Sequence, residues 1–163
     1  MTTSHPRRLP DLRNPIHLLA FGFGSGCLPH APGTFGTLVG VGFYLLLRPL
    51  PLPPYLLLLG LAFLLGVWVC GRTSRDLGVH DHSGIVWDEI VGYLVTMALA
   101  PPGWVWVLLG FVLFRLFDIL KPWPISTIDR RLGGGLGIML DDVLAGLYGL
   151  LVLWLVEYWG MLG

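Results

Sequence analysis

The chain has 163 residues, enough for one domain and short for two, and is 55% hydrophobic but only 12% charged. Its mean hydropathy of +0.75 exceeds what a water-soluble domain tolerates, because such a domain must also cover its outside with polar groups, so the predicted solvent is a bilayer. Ten basic residues balance ten acidic ones, leaving no basic field to hold a nucleic-acid backbone, and nucleic acid is excluded as a partner.

Residues 1–13 are polar, basic and proline-rich and lack the apolar run and small-residue cleavage site of a secretory signal. They are expected to form a flexible cytoplasmic lead-in, with 14–163 as a single helical domain. "GFGSGCLPHAPGTFG" follows, and its Ser25 and Thr34 are candidates for seating an anion, with helix capping as the equal rival. Ser25 only superficially suggests a nucleophile elbow, since the strand-turn-helix setting is missing. Cys27 and Cys70 have no CxxC spacing and read as small buried hydrophobes.

Five apolar stretches come next in order: Phe35 to Leu47, Tyr55 to Cys70, Ile85 to Ala100, Trp104 to Leu120 and Val143 to Trp159. All fall below the roughly 20 residues a spanning helix usually needs, so some would cross only with flanking residues or a thinned bilayer. "RPLPLPP" and "PPG" are nearly uncharged breakers, whereas "GRTSRDLGVHDHSG" and "KPWPISTIDRRLGGGLGIMLDD" are polar. The polar connections thus follow every second crossing, and hairpin parity returns them to the side of the lead-in. Arg7, Arg8, Arg13, Arg72, Arg75, Lys121, Arg130 and Arg131 would lie on that side against Arg48 on the other, which makes it cytoplasmic. The expected fold is all-α: a compact polytopic membrane bundle of about four to five apolar helices with polar loops on the cytoplasmic face. A compact globular helical protein is the alternative.

The ionisable residues cluster. Asp88 and Glu89 are expected at the start of the third stretch, and Asp141 and Asp142 at the start of the fifth. Helix capping returns only about 0.3–1 kcal/mol, whereas a carboxylate at membrane depth costs about 2.5–3.5 kcal/mol. If the pairs converge, a hard cation such as Mg²⁺ or Mn²⁺ would offset their repulsion. His80, Asp81 and His82 lack the cysteines and helical spacing of a zinc site, and one imidazole is better suited to proton transfer. Arg115 and Asp118 are one turn apart and can pair within a helix, Lys121 precedes the kinking "PWP", and Asp129 and Arg130 follow it. Cations beside a carboxylate centre fit an anionic substrate, and phosphate is the natural candidate. Gly133, Gly134, Gly135 and Gly137 either admit an anion to the backbone or turn the chain.

Three blocks carry a resemblance: "NPIHLLAFGFGSGCLPHAPGTFGTL", "VHDHSGIVWDEIVGY" and "FRLFDILKPWPISTIDRRLGGGLGIMLDDVLAG". In that order, and from about Asn14 to Gly146, the chain resembles the bacterial phosphatidylglycerophosphatase A family. The resemblance implies a multi-pass, Mg²⁺-dependent phosphatase of the bacterial inner membrane, its site facing the cytoplasm. Its substrate would be the phospholipid phosphatidylglycerophosphate in the bilayer, converted to phosphatidylglycerol. Asp88, Glu89, Asp141 and Asp142 would then hold the metal, and Arg115, Lys121 and Arg130 would neutralise phosphate oxygens, with Ser25 and Thr34 helping to seat them. His80 or His82 would protonate the leaving oxygen, and Asp81 would orient an imidazole or join the metal shell. Attack by Asp81, Asp118 or Asp129 on phosphorus is a second route. A cation- or proton-coupled transporter is the rival class, and it requires acidic groups spread through the depth of the helices.

Overall fold

The computed structural model describes residues 9–79 and 82–160, with only the backbone at 129 and 130. Residues 1–8 of the expected lead-in lie outside the described residues, as do His80 and Asp81. Among the described residues seven α-helices follow in order: α1 (Pro15–Ala20), α2 (Pro32–Leu47), α3 (Leu52–Leu77), α4 (Trp87–Thr96), α5 (Trp104–Leu120), α6 (Ile125–Arg131) and α7 (Gly134–Tyr158). A 3₁₀ segment, Gly22–Cys27, joins α1 to the loop before α2, and no strand occurs among the described residues.

Local sequence sets these boundaries. Asn14 caps α1 by accepting from the Ile16 N–H at 3.0 Å, with Pro15 preset for the first turn. α3 starts on the prolines after Arg48 and ends at Gly78, which takes the left-handed conformation (φ 71°) that closes many helices. α5 stops at Lys121, held at φ 42° ahead of Pro122.

α4 is the centre of the bundle, packed against α7, α2, α3 and α5. All its residues are buried except Glu89, which is partly so. This corrects the expectation that Ile85 to Ala100 crosses a bilayer. A ten-residue helix rises only about 15 Å against a hydrocarbon core of about 30 Å, and the segment is apolar because protein surrounds it. Of the five apolar stretches, two lie in helices long and apolar enough to cross a membrane, α3 and α7, and α2 is a shorter apolar helix. Only 17% of the apolar window of α3 is buried, against half that of α7. Leu57, Leu61 and Leu64 of α3 and Leu108, Val112 and Ile119 of α5 face outward, an apolar exterior that suits lipid. Both long helices also extend beyond the apolar runs: α3 continues through "GRTSRDL" and α7 begins in the glycine cluster.

The helices approach closely through small residues and bond across their interfaces. Thr96 Oγ1 lies 3.2 Å from both the Gly92 and Gly146 carbonyl oxygens, and the Tyr55 hydroxyl donates to the Leu94 carbonyl at 2.7 Å. A Cβ on Gly146 would collide with the Gly92 carbonyl, and one on Gly92 would stand 2.7 Å from the Asp142 carbonyl. Gly146→Leu is therefore expected to cost about 3 kcal/mol or more by overpacking, read as a lower unfolding temperature in detergent. A wild-type melting curve would contradict this crossing.

Candidate active site

The approach to α4 is pinned before the helix starts. The Val86 N–H donates to the Ala20 carbonyl at 2.9 Å, the Ile85 N–H to the His82 carbonyl at 2.7 Å, and the Gly84 N–H to His82 Nδ1 at 3.0 Å. His82 also packs on Phe21, ring centroids 5.4 Å apart. These contacts tie the last residue of the HDH motif to α1 and fix the direction in which Asp88 and Glu89 leave the first turn of α4.

Asp142 comes to meet them from α7. Carboxylate oxygens of Asp88, Glu89 and Asp142 lie within 4.8 Å of one another, and Asp118 of α5 also faces Asp142. Asp141 and Asp142 do not open the last helix as expected, because the glycines before them are helical and place both about two turns inside α7. That position removes the capping explanation, since the macrodipole acts within the first turn.

Cations hold the periphery. An Arg115 terminal nitrogen donates to Asp118 at 2.5 Å and lies 3.8 Å from Glu89. Lys121 Nζ donates to Asp141 at 2.7 Å. The four metal-ligand candidates therefore divide: Asp88, Glu89 and Asp142 share one space, while Asp141 turns to Lys121. Lys121, at the end of α5, draws Asp141 to its own side of α7, and Asp142 is left with the carboxylates of α4. Gly33, at the start of α2, closes the site; a Cβ there would run into Glu89 and stand 2.9 Å from an Arg115 nitrogen. The sequence carried no signal for Gly33, whose importance comes from its neighbours.

With five carboxylates (Asp88, Glu89, Asp118, Asp141, Asp142) near two cations (Arg115, Lys121), full ionisation would leave three negative charges. Burial, then the Asp142 carboxylate, pushes Glu89 well above the ordinary carboxylate range, against the pull of Asp88 and Arg115. Glu89 Oε2 and Asp142 Oδ2 are buried with no hydrogen-bond partner among the described residues. Unpaired buried carboxylate oxygens are costly. The oxygen-only donor set, the surplus negative charge and these two orphaned atoms fit a hard divalent cation.

The Ser25 hydroxyl donates to the Gly22 carbonyl at 2.9 Å within its own turn. Thr34 sits in the first turn of α2 beside Gly33, its N–H donating to the Ala31 carbonyl at 3.0 Å. Asp129 and Arg130 lie on α6, which packs on α7, and their side chains are outside the described residues. A further polar cluster had no counterpart in the sequence reading. His17 lies 3.4 Å from Asp76, which also accepts from Arg72 at 3.1 Å, and the Asp11 N–H donates to His17 Nδ1 at 3.1 Å. This cluster binds the end of the lead-in and α1 to α3.

Comparison with known proteins decides the family. The family model for phosphatidylglycerophosphatase A matches residues 18–157. The chain belongs to the phosphatidylglycerophosphatase A family. Among proteins of that name, the one from Haemophilus influenzae is 49% identical over 161 residues, covering 98% of this chain and 99% of the relative. The Escherichia coli protein is 47% identical over 153 residues, covering 93% and 89%. No solved structure matches the chain. The family match takes in every helix that contributes to the acidic cluster, from α2 to most of α7.

Proposed function

We propose that the chain hydrolyses the terminal phosphomonoester of phosphatidylglycerophosphate to phosphatidylglycerol and phosphate at the cytoplasmic surface of the bacterial inner membrane. The observation that carries the mechanism is the convergence of Asp88, Glu89 and Asp142 with two orphaned buried oxygens, beside Arg115 and Lys121. These three carboxylates would hold Mg²⁺, with Asp141 next to them. A divalent cation bound there supplies Lewis acidity toward a phosphoryl oxygen and toward water.

The protein's own groups do the rest. Arg115 and Lys121 face the carboxylates and can transfer part of their charge pairing to an incoming phosphate; with Arg130 they would offset charge on the phosphoryl oxygens in the transition state. Water adds to phosphorus as the bond to the glycerol oxygen breaks, and that oxygen takes a proton. His82, anchored through Nδ1, or His80 is the proposed donor, with Asp81 orienting the imidazole. Ser25 and Thr34 are proposed to border the phosphate from the glycine-rich segment. Attack by Asp81, Asp118 or Asp129 would instead give an aspartyl-phosphate, which rapid-quench trapping distinguishes from direct hydrolysis. The gathering of acidic groups at one level, rather than along the depth of the helices, supports chemistry over conduction.

Phosphate release from the lipid in detergent tests the reading. The wild-type chain should release phosphate with Mg²⁺, lose activity in EDTA and recover it when Mg²⁺ is restored. Full activity in EDTA would sink the metal assignment, and no release under any condition would sink the phosphatase itself.

A further inference from the structure

Beside the acidic cluster, α2, α3 and α4 enclose an apolar groove of about 190 Å³. Ile90 and Leu94 of α4 form its floor; Phe43 and Leu47 of α2 form one wall, and Leu58 and Ala62 of α3 the other. α2 and α3 lean on α4 more than on each other, which keeps the slot from closing. The one indole at its upper end, that of Trp87, already donates its N–H to the Ala62 carbonyl at 3.0 Å, so the lining offers no polar handle.

Two features identify the occupant. Trp87 lines the slot and directly precedes Asp88, so the upper end stands level with the carboxylates while the floor runs down α4 for about 10 Å, from Trp87 to Leu94. The mouth is on the outside of the molecule, since Leu58 is exposed and its neighbours Leu57 and Leu61 belong to the apolar exterior of α3. Next to it, the Phe23 ring lies tilted 6.0 Å from Phe43 and 6.4 Å from Trp87, and its φ of 59° is one that side-chain-bearing residues rarely adopt. The backbone is thus held out of its preferred region where it places an exposed ring beside the end of the slot.

We infer that this groove receives the upper part of one acyl chain of the phospholipid substrate, entering sideways from the bilayer while the phosphate reaches the acidic site. The inference rests on the phosphatase reading and adds the recognition of the chain. The volume suits a segment of a single chain and is below that of pockets holding a whole drug-sized ligand.

The test uses the full chain in mixed micelles, with dipalmitoyl phosphatidylglycerophosphate and its deacylated headgroup, glycerophosphoglycerophosphate, as paired substrates. Ala62→Phe fills the slot and should raise KM for the dipalmitoyl substrate about tenfold, with kcat retained and the KM of the deacylated substrate within about twofold. Leu58→Phe, at the mouth, gives the same readout if Ala62→Phe does not fold, and Leu57→Phe, outside the slot, should leave both substrates unchanged. An unchanged KM, or an equal rise for both substrates, overturns the slot while leaving the phosphatase reading intact. Failure of the wild-type chain to cleave either substrate overturns the reading on which it rests.

Discussion

Asp142→Asn is expected to lower phosphate release by at least about 10²-fold, the scale on which loss of one preorganised charge-stabilising group acts, while leaving the protein folded. Asp142 is buried inside α7 and faces Asp88, Glu89 and Asp118. Asparagine keeps its shape and removes one like charge, so without divalent cations the variant should unfold no earlier than wild type. The separating measurement is the response to Mg²⁺. Ligand at a hundredfold excess over Kd stabilises the folded state by about 2.7 kcal/mol, roughly 5–10 °C for a chain of this size. Wild type should show that rise and Asp142→Asn should lose most of it. Normal turnover together with an undiminished Mg²⁺ response would remove Asp142 from the site.

Arg115→Met should move stability the other way. Arg115 pairs with Asp118, approaches Glu89 and abuts Gly33, so its removal leaves partly buried carboxylates without their compensating cation. Breaking such a pair from one side costs about 3–5 kcal/mol, which for this size lowers the unfolding temperature by roughly 6–20 °C. The loss should be largest in EDTA and smaller with Mg²⁺, which shares the neutralisation of Glu89. Arg115→Lys keeps the charge but not the planar fork and should fall between the two. A melting temperature unchanged by Arg115→Met in EDTA would mean that the guanidinium does not balance the cluster.

The helical class and part of the acidic cluster's geometry were legible for identifiable reasons. "WDE" opens α4 because "HSG" is a turn, and "FRLFD" pairs Arg115 with Asp118 because three residues on a helix are neighbours. Other features depend on packing that a single sequence does not display. The hydropathy of "IVWDEIVGYLVT" is the same whether lipid or Leu surrounds it, so α4 resembled a crossing and proved to be the core. Gly133, Gly134, Gly135 and Gly137 read as an anion approach or a turn, yet Gly135 sits against Val67 and Gly71 of α3, and that contact keeps the segment helical and carries Asp141 and Asp142 into the interior. Adjacent carboxylates looked like a unit until the rotation of α7 assigned one to the shared space and the other to Lys121.

The spacing of the α4–α7 crossing gives the bare glycine contact a second meaning. Gly92 follows Asp88 by one turn, Gly146 follows Asp142 by one turn, and Thr96 ties the two backbones at that level. The crossing works as the pivot of a pair of pliers whose jaws are the carboxylates one turn above. With a glycine on each helix at the pivot, the gap between the jaws is set by backbone against backbone. The site is gauged before any ligand arrives, and a slip of one turn along either helix, about 5.4 Å, would open it altogether.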